Sequence, residues 1–406
     1  MGSRREVGRI EILEALWEAL RNYYPMMEYV GAWDDEWLDE FRPLARDAQT
    51  DEEAYWLMDE LVCRLNDYHT MFFWPCRQGR ANGMESPPVR ADVAWDGDRA
   101  AVAIVEAGPG LSVHPGDEIL AVDGVPIKVA LAEALKHSVG STPSAKNRAA
   151  CWRMLLGPRD QPAHLIVRSS SSEAGREVSL PRDSRFPERR VVSHREVDGT
   201  PIIRITQWGD TPQEKVVPEF DLLLDRFRKA PCLVIDVRGN GGGLDALAEE
   251  VTGRFLKSRV ISSISFYRAV PSLSYERTIE WTRPRGPWRY EGRVAVLIDE
   301  GSKSACEHFV SGMLEAGAFL AGAPTDGSCG LSRHVQLPGG AHVSISRSFP
   351  LHGKDPSALH GIRPHVHTPY ELADLREGRD PALEAALDWL KSNKSLPNHP
   401  QRLSAC

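Results

Sequence analysis

The chain has 406 residues, which at roughly 150 residues per domain predicts about two to three domains. Hydrophobic residues make up 42% and charged residues 26%, a globular composition that excludes disordered, collagen-like and coiled-coil proteins. The formal net charge of −8 provides no global basic field for a phosphate backbone, so we expect no nucleic-acid partner.

The sequence also predicts where the protein is found. Glu11, Glu14 and Glu18 interrupt the apolar residues near the N-terminus, which is not the pattern of a signal peptide. No apolar stretch approaches the length of a membrane span, so we expect no membrane partner. The seven cysteines lack CxxC spacing and predict reduced thiols rather than a disulfide framework or a zinc site. We therefore expect a cytoplasmic protein. The cysteines are Cys63, Cys76, Cys151, Cys232, Cys306, Cys329 and Cys406.

Residues 8 to about 66 have the apolar periodicity of helices. Thr50 and Glu53 have the spacing of a capping box, which predicts the start of a helix. An apolar stripe follows at Met58, Leu61, Val62 and Leu65. The polar pair Asn66-Asp67 predicts the helix end, so His69 is expected at a junction before the next apolar run.

Short β-like runs follow the boundary at Pro87-Pro88, at residues 101–105, 118–122 and 164–167. Within them, residues 110–124 contain Gly-Leu, Pro-Gly-Asp and Asp-Gly elements and resemble a PDZ domain. Such domains bind an extended peptide along a sheet edge. The alternative is a β-rich module that serves only packing. We predict that the module ends near Pro187, with residues 169–175 as a hairpin tip.

From residue 202 the pattern alternates between strands and helices. The predicted elements are strands at 202–205, 232–237 and 294–298 and helices at about 212–229 and from Leu244. This alternation is typical of an α/β layer.

A glycine-rich turn follows the second of these strands, at residues 236–243. Successive glycines allow positive φ and let several backbone N–H groups converge on one anion. The spacing fits neither GxGxxG nor GxxxxGK[ST], so an oxyanion site is a better match than a phosphate site. The alternative is a tight strand-to-helix crossing with no ligand.

A second strand-turn-helix pattern spans residues 297–309. It places Ser304 at a helix start beyond a buried strand, where its hydroxyl is exposed and helix N–H groups can stabilise negative charge. Ser304 is therefore the candidate nucleophile. The alternative is a helix N-cap, which Ser302 or Ser304 could provide.

Together the two turns resemble those of the C-terminal processing, or tail-specific, serine peptidase family, which includes the tricorn core proteases. The resemblance extends over nearly the whole chain, including the junction at 66–70, the PDZ-like insert and the closing segments 361–364 and 378–387. It implies that Ser304 is the nucleophile. It also implies an oxyanion hole formed by the Ala305 N–H and an N–H of the Gly241–Gly242 turn.

The general base differs from that of bacterial members of the family. They use a lysine after a Pro-Thr-x-Gly turn, whereas the corresponding segment 324–330 has no lysine. The tricorn-like branch takes a histidine from the helix–loop junction, and this implies His69 as the base that activates the serine hydroxyl. Lys303, next to Ser304, is expected to face solvent.

The group that orients His69 is left open by the resemblance. In tricorn-like enzymes a hydroxyl beside the histidine and a glutamate before the closing Gly-x-x-Pro complete the charge relay. Here Tyr68 precedes His69, and residues 357–360 contain no glutamate. The candidate orienting groups are Asp67, Tyr68 and His360.

A metal site is not predicted. The pair His365-x-His367 would lie on one face of a strand, but no Cys or carboxylate cluster of metal-site spacing accompanies it. No cofactor is expected.

The predicted fold is a multidomain α/β protein with four parts. They are a helical N-terminal region at 1–86, a PDZ-like peptide-binding module at 87–186, an α/β serine protease domain of the tail-specific, crotonase-like ββα type at 187–394, and a tail at 395–406.

The predicted function is serine endopeptidase activity on peptides or unstructured protein tails, through an acyl-enzyme on Ser304 with His69 as base. Two alternatives remain: an acyl transferase or peptide cyclase using the same serine, and a non-catalytic protein that binds a peptide or an apolar ligand on the same fold. The oligomeric state is left open, and a homo-oligomer is compatible with the sequence.

Overall fold

A computed structural model describes residues 8–27, 30–31, 35–74, 84–170, 174–182, 186, 190–269, 274–328, 330–352, 355–356, 360–392 and 394–402. Three of the cysteines (Cys76, Cys329 and Cys406), the predicted module end at Pro187 and residues 357–359 lie outside these ranges.

Helices form the N-terminal part of the described chain. The elements are α1 (Arg9–Tyr23), α2 (Glu36–Asp47), α3 (Asp51–Cys63) and the strand β1 (Met71–Phe73). The predicted capping box is confirmed: the Glu53 N–H donates to Thr50 Oγ1 (3.1 Å), and the Thr50 N–H donates to the Glu53 carboxylate (3.4 Å). No helix in the described ranges is long and apolar enough to span a membrane.

The middle part of the chain is rich in short strands. They are β2 (Met84–Glu85), β3 (Val89–Asp96), β4 (Arg99–Ala107), β5 (Glu118–Val122), β6 (Val125–Pro126), β7 (Gly157–Pro158), β8 (Ala163–Arg168) and β9 (Arg176–Leu180), with helices α4 (Ile127–Lys136) and α5 (Pro143–Arg153). The main sheet has the order β3-β4-β5-β8-β9, and β8 and β9 pair antiparallel on either side of the predicted hairpin tip, of which residues 171–173 lie outside the described ranges. Residues Asp123 and Gly124 have positive φ, as a tight Asp-Gly turn requires.

The remaining elements combine strands with helices and end in two helices. The strands are β10 (Val192–Val197), β11 (Thr200–Ile205), β12 (Cys232–Asp236), β13 (Val260–Ala269), β14 (Ser274–Thr282), β15 (Arg293–Ile298), β16 (Phe319–Gly322), β17 (Ser332–Gln336), β18 (His342–Ser346), β19 (Ser348–His352), β20 (Asp355–Pro356) and β21 (Val366–His367). The helices are α6 (Val216–Arg226), α7 (Asp245–Thr252), α8 (Ala305–Glu315), α9 (Leu372–Glu377) and α10 (Pro381–Lys391).

The central sheet has the order β10-β11-β12-β15-β16-β21, and it is parallel except for the β10–β11 pair. Side chains of β12 alternate between two cores. Leu233 and Ile235 pack with α6, α7 and α8, whereas Val234 packs with α10 on the other face. Burial on both faces explains the continuous apolar runs of β12 and β15. The mixed α/β fold is thus confirmed.

The N-terminal helices pack against residues from the other end of the chain. Strand β1 pairs with β18, with Met71 opposite Ser344, and β18 pairs with β17. Leu16, Phe72 and Val343 share one core. A further sheet has the order β14-β13-β19-β20. The junction containing His69 is therefore held next to residues about 270 positions later in the chain.

Candidate active site

The glycine-rich turn joins β12 to α7. Gly239, Gly242 and Gly243 have φ of +73°, +96° and +140°, in the left-handed region that favours glycine. Asn240 is fully buried, and its side chain donates to the Ile205 carbonyl (3.2 Å) and accepts from the Gly242 N–H (3.0 Å). The turn is thus held rigidly at the end of the central sheet.

Ser304 occupies the N-cap position of α8, with φ +52° and ψ −122°. A non-glycine residue rarely adopts this conformation, and such strain clusters at functional sites. The side chain is half-buried. Ser302, the other candidate cap, is fully buried, and its hydroxyl donates to the Val237 carbonyl (3.0 Å). The N-cap position therefore belongs to Ser304, and Ser302 fastens the two turns together.

The two turns approach each other closely. A Cβ added to Gly242 would lie 2.8 Å from Ser304 Cβ and 3.2 Å from the Ala305 nitrogen. Ala305 is the first residue of α8, so its N–H has no partner within the helix. The Gly242 N–H is bonded to Asn240, whereas no partner is described for the Gly241 N–H, so Gly241 is the better donor of the predicted Gly241–Gly242 pair.

Glu307 is a residue whose role sequence reasoning missed. It is fully buried and accepts three hydrogen bonds, from the Ser304 N–H (3.2 Å), the Thr325 hydroxyl (2.6 Å) and the Gly327 N–H (2.8 Å). Burial raises the pKa of Glu307 to about 8, as does the nearby Asp326 carboxylate, while the hydrogen bonds oppose the rise. The available signal was the Ser-x-x-Glu spacing of a capping box at Ser304.

His69 lies after the end of α3, as predicted, and its ring is partly exposed. Its carbonyl accepts a hydrogen bond from the Ser344 hydroxyl (3.0 Å), which fixes the junction to β18. Its Nδ1 atom is buried and has no hydrogen-bond partner among the described residues.

The three candidate orienting groups occupy different surroundings. The Asp67 carboxylate accepts from the His69 backbone N–H (3.1 Å) and from the Thr70 hydroxyl (2.5 Å). The Tyr68 ring lies edge-on to the His69 ring, with centroids 5.9 Å apart. His360 is exposed. Asp67 thus braces the backbone of the junction, and Tyr68 contacts the imidazole.

The expectation that Lys303 faces solvent is wrong. Its side chain is 14% exposed, and its Nζ lies 2.9 Å from the carboxylate of the fully buried Asp326. The Nζ atom also lies 4.1 Å from the centroid of the Tyr68 ring. The helical-direction argument failed because Lys303 precedes α8 and is followed by the left-handed Ser304. The contact between Lys303 and Tyr68 therefore joins the residue before Ser304 to the residue before His69.

A buried charged cluster under both turns was also missed. The Asp299 carboxylate accepts from the N–H groups of Gly239 (2.7 Å) and Gly301 (3.0 Å) and from the Arg148 guanidinium (2.6 Å). Burial by itself would raise the pKa of Asp299, but the charges of Arg148 and Arg90 hold it well below its usual range. Arg148 belongs to α5, so a side chain from the middle of the chain supports the two turns.

The cluster contains two further carboxyl groups. Burial raises the pKa of Asp92 to about 6, although Arg148 and Arg90 oppose the rise. Burial and the neighbouring Asp92 and Asp299 carboxylates raise the pKa of Glu300 to about 8.

A cavity of about 800 Å³ lies beside these turns. Gly239, Tyr68 and Lys303 contribute to its wall. The opposite wall comes from the middle module and includes Val89, Ala91, Ala149 and Trp152, and the Trp152 side chain is 54% exposed. The cavity is large enough for several residues of a peptide.

The histidine pair near the C-terminus is divided between two environments. His365 accepts a hydrogen bond from the Leu320 N–H (2.9 Å) and is partly buried, and burial lowers its pKa to about 4. His367 is exposed. In the part of the chain that is described, no group of three His, Cys, Asp or Glu side chains is arranged to hold a metal ion.

Comparisons with known proteins agree with this architecture. Residues 200–368 match the model of peptidase family S41. A carboxyl-terminal-processing protease of Picosynechococcus sp. (strain ATCC 27264 / PCC 7002 / PR-6) is 23% identical over 378 residues, which cover 89% of this chain and 84% of that protein.

Solved structures share the fold at low sequence identity. Mature CPAF complexed with lactacystin superposes with a TM-score of 0.73 at 16% identity and covers 95% of this chain and 97% of its own. The photosystem II D1 C-terminal processing protease gives a TM-score of 0.54 at 18% identity and covers 93% and 99%. The comparisons therefore support a serine-type peptidase: residues 200–368 match peptidase family S41, and most of the chain is similar to a carboxyl-terminal-processing protease.

Proposed function

We propose that the chain hydrolyses peptide bonds through an acyl-enzyme on Ser304, with His69 as general base. The observation that carries the proposal is the close approach of Ser304, held at φ +52°, to the glycine-rich turn. This approach, together with the backbone N–H groups of Gly241 and Ala305, for which no partner is described, supports an oxyanion hole beside the Ser304 hydroxyl. Converging donors of this kind stabilise the oxyanion of acyl transfer.

The reaction follows from these groups. His69 takes the proton of the Ser304 hydroxyl as the serine oxygen attacks the scissile carbonyl carbon, and the negative oxygen is held by the Gly241 and Ala305 N–H groups. His69 then returns the proton to the leaving amine, which gives an acyl ester on Ser304. A water molecule, deprotonated by His69, attacks this ester; the bond from the carbonyl carbon to the Ser304 oxygen breaks, His69 returns the proton to that oxygen, and the carboxylic acid product leaves. No cofactor enters any step.

The substrate and the domain roles belong to the same proposal. A peptide or protein substrate follows from the family. We assign residues 87–186 as a PDZ-like module that presents an unstructured segment, and residues 187–394 as a catalytic domain of the crotonase-like ββα type. Support comes from the antiparallel β3-β4-β5-β8-β9 sheet and from the parallel strands that end at both turns. Action on protein tails is consistent with the name of the Picosynechococcus relative.

Acyl transfer, the first alternative, is distinguished from hydrolysis by its products. An acyl transferase or cyclase would form the same acyl-enzyme but deliver it to an amine or hydroxyl, so mass spectrometry of a cleaved peptide would show ligated or cyclic products. The family match favours an enzyme over the binding protein considered from the sequence.

Covalent labelling by a fluorophosphonate tests the proposal. We expect the wild-type protein to be labelled, Ser304→Ala to show no labelling, and His69→Ala to be labelled at least about 1000-fold more slowly. Ser179→Ala and His194→Ala, which change exposed residues, serve as matched controls. Labelling that persists in Ser304→Ala, or its absence in a folded wild type, would contradict the proposal.

A further inference from the structure

We infer that Lys303 is a positioning residue that holds the Tyr68–His69 junction against the Ser304 turn through the aromatic face of Tyr68. The inference rests on the proposed roles of Ser304 and His69. It assigns Tyr68 a role for its ring rather than for its hydroxyl.

The ammonium group of Lys303 connects the two halves of the site. Its Nζ atom lies 4.1 Å from the centre of the Tyr68 ring, and that ring packs edge-on against the His69 imidazole. A cation over an aromatic face is attracted by the ring quadrupole, more strongly where both groups are partly removed from water. The Lys303 side chain is 14% exposed and Tyr68 is 37% exposed, so this contact is partly shielded.

Asp326 fixes the other side of the ammonium group. Its carboxylate is fully buried, and Lys303 Nζ lies 2.9 Å from Oδ2. The contact is an ion pair without hydrogen-bond alignment, because neither Asp326 oxygen has a hydrogen-bond donor among the described residues. The ammonium group of Lys303 thus lies between a buried carboxylate and an aromatic face.

The backbone of Lys303 also braces the glycine-rich turn. Its N–H donates to the Asn240 carbonyl (3.0 Å), and its carbonyl oxygen would lie 2.8 Å from a Cβ at Gly242. One residue thus connects the glycine-rich turn, the nucleophile, the buried Asp326 and the histidine junction. Loss of the contact between Lys303 and Tyr68 is expected to misplace His69 relative to Ser304 and thereby to slow the chemical step.

The test measures fluorophosphonate labelling kinetics, with the maximal rate constant and the half-saturating probe concentration determined separately. Lys303→Met combined with Asp326→Asn removes both charges and leaves no unpaired buried carboxylate. Tyr68→Leu removes the ring at a partly exposed position, so it remains informative if the double variant does not fold. Lys303→Arg keeps a cation and Tyr68→Phe keeps the ring. Lys391→Met, which removes an exposed lysine paired with Asp198 at 3.0 Å, is the matched control.

We expect the double variant and Tyr68→Leu each to lower the maximal rate constant by about tenfold, with half-saturation changed by less than about twofold. Combining all three changes is expected to add no further loss, because they remove one contact. Lys303→Arg and Tyr68→Phe should stay within about threefold of the wild type.

If the wild type is labelled at Ser304, three results would overturn this inference and leave the proposed function standing. The first is a wild-type labelling rate in Tyr68→Leu, and the second is an equal loss of rate in Tyr68→Phe and Tyr68→Leu. The third is a triple variant that loses more rate than either Tyr68→Leu or the double variant. Absence of labelling in a folded wild type would instead overturn the proposed function, and this inference with it.

Discussion

Gly242 is the residue on which the approach of the two turns depends. It has φ +96°, and a Cβ there would lie 2.8 Å from both the Lys303 carbonyl oxygen and Ser304 Cβ. Real Cβ atoms are not found this close to backbone atoms, so Gly242→Ala must push the turns apart. A displacement of about 1 Å at a catalytic group can cost on the order of 100-fold in rate. We therefore expect Gly242→Ala to lower the fluorophosphonate labelling rate by about that factor.

Gly124→Ala is the control that separates the effect of the Gly242 clash on labelling from the effect of backbone strain. Gly124 has φ +80° with no atom within 4 Å of an added Cβ, so it incurs only the cost of a left-handed alanine, about 1 kcal/mol. Its labelling rate should match that of the wild type. A Gly242→Ala protein that is labelled as fast as Gly124→Ala would show that the turns do not need their present separation.

At the scale of single residues, the sequence predicted the positions of Ser304 and His69 but not what surrounds them. Local signals such as a helix end or a strand-turn-helix pattern are enough to predict where a side chain is presented. The partners of Lys303 are 23 and 235 positions away, at Asp326 and Tyr68, and no local pattern encodes such contacts. The Glu307 hydrogen bonds likewise depend on the Thr325–Gly327 segment meeting α8.

At the scale of elements, α5 supports the site from another part of the chain. Arg148 is 15% exposed and donates to Asp299, whose carboxylate organises Gly239 and Gly301. Removing one partner of a buried ion pair strands the other charge and typically costs about 3–5 kcal/mol. We expect Arg148→Met to lower the free energy of unfolding by about this amount and to slow labelling of Ser304, measured by urea unfolding and by the probe.

Two companion variants sharpen this expectation. Arg148→Met combined with Asp299→Asn removes both charges of this ion pair and should recover part of the lost stability. Arg190→Met removes a 67% exposed arginine that pairs with Glu214 and should change stability by less than about 1 kcal/mol. If Arg148→Met and Arg190→Met have equal effects, the buried pair does not support the turns.

Elements with one dominant apolar pattern were predicted, and elements with mixed patterns were not. Strands β12 and β15 are buried on both faces and read as continuous apolar runs, whereas β13 contains the buried Ser262, Ser263 and Ser265. A bulge between Ile261 and Ser263 also breaks its two-residue period.

The helix predicted at about 212–229 begins only at Val216, because residues 206–215 form an irregular connection to β11. The pairing of β1 with β18 joins segments too distant for any sequence window.

At the scale of the whole molecule, the buried carboxyl groups predict how stability depends on pH. The pKa of Glu300 is about 8 in the folded protein, above its usual value of 4.5, because burial and the Asp92 and Asp299 carboxylates disfavour its charge. The folded state therefore holds a proton that the unfolded chain releases. This stabilisation is fully present below about pH 4.5 and is lost as pH rises through about 8, by up to about 1.4 kcal/mol per pH unit.

The pKa of Glu307 is also raised, so the wild-type free energy of unfolding should fall between pH 5.5 and 8.5. Glu300→Gln cannot ionise, and its stability relative to the wild type should rise with pH over that range. Urea unfolding at pH 5.5, 7 and 8.5 measures this difference, with Glu291→Gln, 76% exposed, as the control whose difference from the wild type should not change. If the Glu300→Gln and wild-type curves run parallel across the range, the Glu300 carboxyl group is ionised in the folded protein.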